Sequence, residues 1–327
     1  MTIRNHKAGC RASGGLSLNM LSQDELESIH LATLEILSTV GVFVQNPEAR
    51  ELFAKAGARV EEEGLVKIPP HLVEEAIISA PSTLTLAGRT ADRDILIESG
   101  RVNFTNFGEG ILIIDHRTGE LRATTKADLA EVTRVLDSLE VIGVIERAVG
   151  SQDMAPSMQA IHNYEAMVNN TTKHCFLGPE NGENIRAILK MAEIAVGGPE
   201  VFKDRCPVSF ITCPVSPLRL VDDCCDIIMT AAKHGAAVCI LSMAMAGGSS
   251  PVNLAGTLAN HNAEILAGVT LAQLTRKGAR VIYGSSSTAM NLKAATAVVG
   301  TPELALINAG VATLARYYGL PSWTAGG

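Results

Sequence analysis

The sequence predicts an α/β fold, an incomplete (β/α)8 barrel (TIM barrel) that follows a smaller N-terminal α+β domain. From Thr125 onward, short apolar strands bounded by Gly and Pro alternate with helical patterns, as in a parallel sheet. The loops after these strands are rich in Ser, Pro, Gly and Asp, and no G-x-G-x-x-G follows the first strand, which disfavours a dinucleotide-binding sheet. About six strand–helix units can be counted, whereas a closed barrel needs eight.

Residues 1–124 form the predicted α+β domain. A capping box at Ser22 and Glu25 opens a first helix that runs to about Val40. Helices are also predicted from Asn46-Pro47 to Gly57 and from Pro70 to Ser79. Short strands follow at Thr83–Leu86, Ile95–Ile97, Val102–Phe104 and Ile111–Ile114, with a hairpin turn leading into Glu120–Thr124.

Residues 125–327 form the predicted barrel domain, which carries the catalytic machinery. Its helices are expected at Lys126–Leu139, Ser157–Asn169, Glu183–Val196, Asp222–His234, Pro251–Lys277 and Pro302–Tyr318. The strands that follow them are expected at Val141–Val149, His174–Leu177, Val208–Cys213, Ala237–Met243, Arg280–Tyr283 and Leu320–Trp323.

Composition excludes several functional classes. With 47% hydrophobic and 19% charged residues, the chain is expected to bury a large core. A net charge of -7 without clustered Lys and Arg argues against nucleic acid as a partner. The longest apolar stretches are interrupted by polar residues and no signal peptide precedes them, so we expect a cytoplasmic protein without membrane contact. Seven cysteines without C-x-x-C, and scattered histidines, predict reduced thiols and no metal site.

The most informative candidate for chemistry is Glu264, on the predicted helix Pro251–Lys277. Ser250 is the expected N-cap of this helix and Pro251 its first residue. Because the surrounding helix is dense in Ala and Gly, we expect Glu264 to be buried, and a buried carboxyl has a raised pKa or a cationic partner. A purely structural role, pairing with an Arg or capping a neighbouring helix, remains an alternative.

Weaker candidates lie at other predicted strand ends. Ser285 follows a strand and places a hydroxyl at the expected barrel mouth, although helix capping explains it equally well. Tyr283 and Trp323 could line an aromatic cage for an alkylammonium cation, although aromatic residues on barrel strands more often fill the core. The segment from Asn106 to Gly110 could cradle a ligand or form a simple turn.

Several segments in order resemble the trimethylamine:corrinoid methyltransferase family. They are Ser250-Pro251, Asn262-Ala263-Glu264-Ile265-Leu266-Ala267-Gly268, Gln273-Leu274, Val281-Ile282-Tyr283-Gly284, Thr301-Pro302-Glu303 and the final Gly319 to Gly327. The resemblance implies a TIM-barrel enzyme of methylamine metabolism, of the methanogenesis type. Such enzymes move a methyl group from a methylated amine to the Co(I) of a separate corrinoid protein. The corrinoid then belongs to that partner, this chain binds no cofactor, and a homo-oligomer is possible.

The resemblance also implies site residues. Glu264 would be the acidic catalytic partner, and Asp153, Tyr283, Ser285 and Trp323 would bind the substrate. In trimethylamine-specific members an amber codon encodes pyrrolysine directly after the Ala-Gly-Gly segment. Since the sequence ends at Gly327, we expect a product truncated before pyrrolysine, inactive and poorly stable alone.

Two alternatives stay open. The chain could belong to a quaternary amine:corrinoid methyltransferase of the glycine betaine type, in which an ordinary residue replaces pyrrolysine. It could instead be a non-catalytic module that docks a corrinoid protein, although an incomplete barrel is a poor scaffold for a preorganised interface.

Overall fold

The structure is a computed structural model that describes residues 10–11 and 20–325. Its helices are α1 (Gln23–Glu35), α2 (Pro47–Lys55), α3 (Pro70–Ser79), α4 (Lys126–Ser138), α5 (Gln159–Val168), α6 (Gly182–Ala195), α7 (Pro199–Asp204), α8 (Asp222–His234), α9 (Leu254–Thr275) and α10 (Pro302–Tyr317). Within these described ranges, no helix has the length and apolar character that a membrane crossing requires.

The strands are short, and most of them are confined to one of several small sheets. They are β1 (Cys10–Arg11), β2 (Val42–Val44), β3 (Arg59–Val60), β4 (Leu65–Lys67), β5 (Thr83–Leu86), β6 (Ile95–Glu98), β7 (Arg101–Val102), β8 (Phe104–Thr105), β9 (Leu112–Ile114), β10 (Leu121–Ala123), β11 (Ile142–Glu146), β12 (His174–Leu177), β13 (Val208–Thr212), β14 (Arg219–Leu220), β15 (Val238–Ser242), β16 (Met245–Ala246), β17 (Val281–Ser285), β18 (Thr288–Asn291), β19 (Thr296–Val298) and β20 (Ser322–Thr324).

The described chain divides into two compact units, each assembled from separate stretches of sequence. The first unit takes in residues 10–11 and 84–211, and the second takes in residues 20–83 and 212–325. The predicted division into residues 1–124 and 125–327 stays a prediction.

In the first unit, four parallel strands follow one another in the order β8, β11, β12 and β13. Helix α4 packs on β11, and α5 packs on β12 and between α4 and α6. The start of α4 is fixed by a capping box, in which Thr125 accepts a hydrogen bond from the Asp128 N–H while the Asp128 carboxylate accepts one from the Thr125 N–H. An antiparallel hairpin of β9 and β10 precedes α4, as the sequence predicts.

In the second unit, three parallel strands follow the order β15, β17 and β20. Helix α9 is almost completely buried, because α1, α3, α8 and α10 pack around it and β15 lies beneath it. Its small residues allow this: a Cβ added at Gly268 would lie 2.9 Å from the Ile240 Cγ2 atom on β15. The site residues on α9 are therefore held in a rigid core.

Seven parallel strands alternating with helices confirm the α/β class and an incomplete (β/α)8 barrel. The seventh is β8, which contributes two residues and lies in the part predicted as a separate α+β domain. Such a short strand carries no readable alternation of polar and apolar residues, so only its pairing with β11 identifies it.

The expected start of α9 is wrong by one turn. The N-cap is Asn253, whose side chain accepts a hydrogen bond from the Gly256 N–H, and not Ser250. The Ser250 hydroxyl is instead 3.1 Å from the Thr257 hydroxyl. Both residue types are good N-caps, and the tertiary contact selects between them.

Candidate active site

The carboxyl group of Glu264 is fully buried in the second unit and accepts four hydrogen bonds. Oε2 accepts from the hydroxyls of Ser242 (2.6 Å) and Ser216 (2.7 Å). Oε1 accepts from the Leu218 N–H and the Asn260 Nδ2, both at 2.9 Å. All four donors are uncharged, so the arginine partner considered from the sequence does not hold this carboxyl.

Three separate elements bring these donors together. Ser242 is the last residue of β15, and Asn260 lies one turn before Glu264 on α9. Ser216 and Leu218 lie in the loop between β13 and β14. Leu218 has a φ of 55°, a left-handed conformation that costs a residue with a side chain about 1 kcal/mol or more. The rest of the unit stabilises this conformation, which places the Leu218 N–H on Glu264.

This arrangement suits an ionised carboxylate. A carboxylate has about four lone-pair sites and no donor, and all four sites are used here. Burial raises the pKa of Glu264, while the hydrogen bonds from Ser242, Leu218, Ser216 and Asn260 oppose that increase. Glu264 can therefore act as a fixed negative charge at the end of a parallel strand.

His261 lies one turn before Glu264 and shares its hydrogen-bond network. Its Nδ1 is 2.9 Å from the Ser287 hydroxyl, which donates to the Ser242 carbonyl at 3.2 Å. Complete burial lowers the pKa of His261 to about 3, so the ring is neutral at pH 7. The Nε2 atom has no hydrogen-bond partner among the described residues.

A second chain of hydrogen bonds fixes the side of α9 that faces β17. The buried Tyr283 hydroxyl donates to the Asn262 Oδ1 at 2.6 Å. The Asn262 amide donates to the Tyr318 hydroxyl (2.7 Å) and to the Thr33 hydroxyl (2.9 Å). The Tyr318 hydroxyl is in turn 3.1 Å from the His30 Nδ1. Asn262 thus links α1, β17 and the end of α10 two residues before Glu264.

The structure brings four of the five predicted site residues into the second unit. Ser285 is the register partner of Ser242, the residue that binds Glu264. Trp323, half-buried on β20, stands opposite Gly284 of β17. Tyr283 contacts α9 through Asn262, as described above. The roles assigned to these residues stay predictions.

Asp153 differs from the other four, because it belongs to the first unit. Its Oδ1 accepts a hydrogen bond from the Lys126 N–H at 2.8 Å, at the start of α4. The side chain is exposed, and this contact gives it a structural function as a helix-end acceptor. Its role as a substrate-binding residue also stays a prediction.

Sequence reasoning missed Ser216, Leu218 and Ser242 as partners of Glu264. A hydroxyl at the end of a strand was the available signal for Ser242, as it was for Ser285. Nothing comparable marks Leu218, because its contribution comes from a backbone N–H. In residues 10–11 and 20–325, no group of three or more His, Cys, Asp or Glu residues could hold a metal ion.

The chain was compared with known proteins by sequence. Residues 11–327 match a family model described as trimethylamine methyltransferase (MTTB). The chain is 48% identical to trimethylamine methyltransferase MttB of Desulfitobacterium hafniense over 322 residues, 98% of this chain and 65% of that protein. It is 42% identical to the protein of the same name from Methanosarcina barkeri, covering 100% of this chain and 67% of the relative. The chain thus spans about two thirds of the length of these relatives.

A more distant relative is found by sequence, and a similar fold is found among solved structures. The chain is 32% identical to a glycine betaine methyltransferase of D. hafniense, covering 94% of this chain and 64% of that protein. The crystal structure of the M. barkeri monomethylamine methyltransferase (MtmB) superposes with a TM-score of 0.60 at 12% identity, covering 93% of this chain and 62% of that one. At this identity the superposition concerns the fold alone, and it agrees with the incomplete barrel.

Proposed function

Because the chain belongs to the trimethylamine methyltransferase family, we propose that its protein transfers a methyl group from trimethylamine to the Co(I) of a separate corrinoid protein. The identities of 42–48% to trimethylamine methyltransferases, against 32% to a glycine betaine methyltransferase, favour trimethylamine as the donor. The observation that carries the proposal in the structure is the buried carboxylate of Glu264 at the end of β15, bound by four uncharged donors.

The chemistry of the substrate explains why such a charge is useful. A neutral tertiary amine is a poor methyl donor, since its leaving group would be an amide anion. The nitrogen must therefore carry positive charge when the methyl group leaves. A fixed carboxylate in a buried, low-dielectric environment stabilises positive charge far better than one in water. In this proposal Glu264 supplies that field, and the hydrogen bonds to its carboxylate keep it oriented.

Neighbouring residues would position the amine. Tyr283 lies on the face of the sheet that packs against α9, whereas Trp323, opposite Gly284, lies on the other face, so of these two rings only that of Tyr283 could share a site with Glu264. An aromatic face stabilises an alkylammonium cation by about 0.5–2 kcal/mol. The Tyr283 hydroxyl is already bound to Asn262, so only its ring is available for such a contact. Ser285 lies beside Ser242 and would orient the carboxylate network.

A methyl-transfer assay tests the proposal. The gene product that contains this chain is incubated with methyl-labelled trimethylamine and a reduced methylamine-dependent corrinoid protein, and dimethylamine release is measured. We expect release, and a decrease in kcat of about 100-fold or more in Glu264→Gln, the scale expected for a lost electrostatic contact. Glu303→Gln, an exposed residue at the start of α10, is the matched control and should keep full activity.

The same assay separates the alternatives. Demethylation of glycine betaine but not of trimethylamine would replace the proposal with the glycine betaine activity of the more distant relative. Binding of the corrinoid protein without any methyl transfer would support the alternative of a non-catalytic module that docks a corrinoid protein. Circular dichroism of Glu264→Gln shows whether a loss of activity reflects a loss of folding.

A further inference from the structure

The antiparallel hairpin of β9 and β10 in the first unit collects its large apolar side chains on one face. Leu121 stands directly opposite Ile114, and Leu112 lies two residues before Ile114 on the same strand. Because successive side chains of a strand point to opposite faces, these three residues share one face, and Arg122, next to Leu121, lies on the other. We call Leu112, Ile114 and Leu121 the hairpin face.

The opposite, polar face of the hairpin is the one that contacts the rest of the unit. The Arg122 guanidinium donates to both carboxylate oxygens of Asp128 on α4, at 2.7 and 2.8 Å, and to the Asp115 Oδ2 at 3.0 Å. At the base of the hairpin, the Thr124 hydroxyl donates to the Gly150 carbonyl at 2.6 Å. These contacts fix the orientation of the hairpin, and they direct the hairpin face away from α4.

The hairpin face is exposed to solvent. The exposed fractions are 54% for Leu112, 67% for Ile114 and 66% for Leu121. A half-buried antiparallel hairpin ordinarily turns its apolar side chains toward the core and its polar side chains outward. This hairpin does the reverse, and an isolated two-stranded hairpin is only marginally stable in water. A contiguous exposed apolar surface of this kind marks an interaction site.

The turn that joins the two strands carries one exposed charge of each sign, on Arg117 and Glu120. Their backbone N–H groups are bound within the turn, by the Asp115 carboxylate and the Thr118 hydroxyl. Within residues 10–11 and 20–325, neither the Arg117 guanidinium nor the Glu120 carboxylate forms an ion pair or a hydrogen bond. Both charges are therefore available to a partner that contacts the hairpin.

These features fit a second copy of this chain. About a two-fold axis a surface meets its own copy, so the hairpin face packs on an equal apolar face, and Arg117 of each copy meets Glu120 of the other. Since each copy carries a net charge of -7, association needs a contact region without excess negative charge, and the hairpin provides one. A strongly charged partner of either sign would instead repel one of the two turn charges.

We propose that two copies of this chain associate through the hairpin face, with two reciprocal Arg117–Glu120 ion pairs at its edge. The area is smaller than the roughly 800 Å² per partner of a standard interface. The dimer is therefore reversible, with a Kd on the order of 1–100 µM. This association does not depend on the proposed methyl transfer.

Sedimentation velocity of the gene product that contains this chain, at concentrations from about 1 to 200 µM, tests the proposal. We expect the mean sedimentation coefficient to rise with concentration. Ile114→Asp and Leu121→Asp place a charge in the apolar contact and should abolish the rise. Ile194→Asp is the matched control, since Ile194 on α6 is 71% exposed, and it should associate like the native protein.

Two charge-reversal variants show whether the contact joins two copies. Arg117→Glu and Glu120→Arg each set like charges against one another across the two-fold axis, and each should weaken self-association by about tenfold. An equimolar mixture of the two variants should associate as the native protein does, because every pair of positions 117 and 120 then joins opposite charges. A change in folding of either variant does not produce this recovery.

Three results would overturn the inference. The first is a protein that stays monomeric up to about 200 µM, and the second is an association that Ile114→Asp leaves unchanged. The third is protection of Leu121 from hydroxyl-radical oxidation in the dilute monomer, which would mean that another part of the same protein covers the hairpin face. Circular dichroism of Ile114→Asp and Leu121→Asp checks that both variants are folded, and the mixture of the charge-reversal variants decides the matter if they are not.

Discussion

Two carboxyl groups have opposite hydrogen-bond surroundings: that of the buried Glu264 on α9 in the second unit, and that of the half-buried Glu146 at the end of β11 in the first. Glu264 accepts four hydrogen bonds, whereas the Glu146 carboxyl accepts none from the described residues. Burial raises the pKa of both. The donors around Glu264 favour its charged form, and their absence around Glu146 favours its neutral form. Burial alone therefore does not decide the charge that a site presents; the local donors do.

Removing the carboxylate of Glu264 should produce the largest effect. Glu264→Leu leaves four donors buried without an acceptor, and each unsatisfied group costs about 1–3 kcal/mol. We expect the free energy of unfolding to fall by at least about 4 kcal/mol in urea denaturation. Glu146→Leu should cost less than about 1 kcal/mol by the same argument. Equal losses in the two variants would remove the distinction between the sites.

The pH dependence of stability sharpens the comparison at Glu146. Its folded pKa of about 7 exceeds the ordinary value of 4.5, so the folded state binds more protons than the unfolded state between these values. The stabilisation by the protonated form is complete below about pH 4.5 and is lost as the pH rises through 7. Between these two pH values, the free energy of unfolding of the native protein should fall by on the order of 2–3 kcal/mol relative to that of Glu146→Gln. If the difference in the free energy of unfolding between the native protein and Glu146→Gln does not change with pH, the raised pKa of Glu146 is contradicted.

Backbone packing at the strand ends also differs between the regions. A Cβ at Gly284 on β17 would lie 2.5 Å from the Cys239 sulfur and 2.9 Å from the Ile240 carbonyl oxygen. A Cβ at Gly178 after β12 would lie no closer than 3.4 Å to any neighbour. Gly284→Ala should therefore lower the free energy of unfolding by about 1–3 kcal/mol, and Gly178→Ala by less than about 0.5 kcal/mol. Thermal unfolding of the two variants measures these losses. A larger loss in Gly178→Ala than in Gly284→Ala would contradict the prediction.

The smallest predicted effect concerns the network beside Glu264. Tyr283→Phe removes the donor to Asn262 Oδ1, which should lower the free energy of unfolding by about 1–2 kcal/mol. Tyr317→Phe is the matched control on α10, since its hydroxyl makes no hydrogen bond to the described residues, and we expect a change below about 0.5 kcal/mol. Denaturant titrations that give the same loss in both variants would show that the hydroxyl of Tyr283 is not needed.

Much of the fold was predictable from local signals. Helices α3 and α8 and strand β12 have the predicted boundaries, because Pro, Gly and charged residues mark their ends. The parallel α/β class followed from the alternation of strands and helices. The short strand β8 was missed, since two residues carry no pattern.

The site was predictable only in part. The burial of Glu264 was expected from the small residues around it and is confirmed. Its donors were not, because Ser216 and Leu218 lie more than 40 residues away in sequence and one of them acts through its backbone. The surroundings of Glu146 were missed as well, since a single charged residue at the end of a strand gives no sign that hydrogen-bond donors are absent around it.

The most direct test of the distinction between the two carboxyl groups is a pH titration of their 13C NMR signals in the chain labelled at the glutamate carboxyl carbon. Glu146→Gln and Glu264→Gln identify the two resonances. We predict that the Glu146 signal titrates with a midpoint near pH 7 and that Glu264 ionises at a lower pH than Glu146. A Glu146 midpoint near the ordinary value of 4.5, or a Glu264 midpoint above that of Glu146, would contradict it.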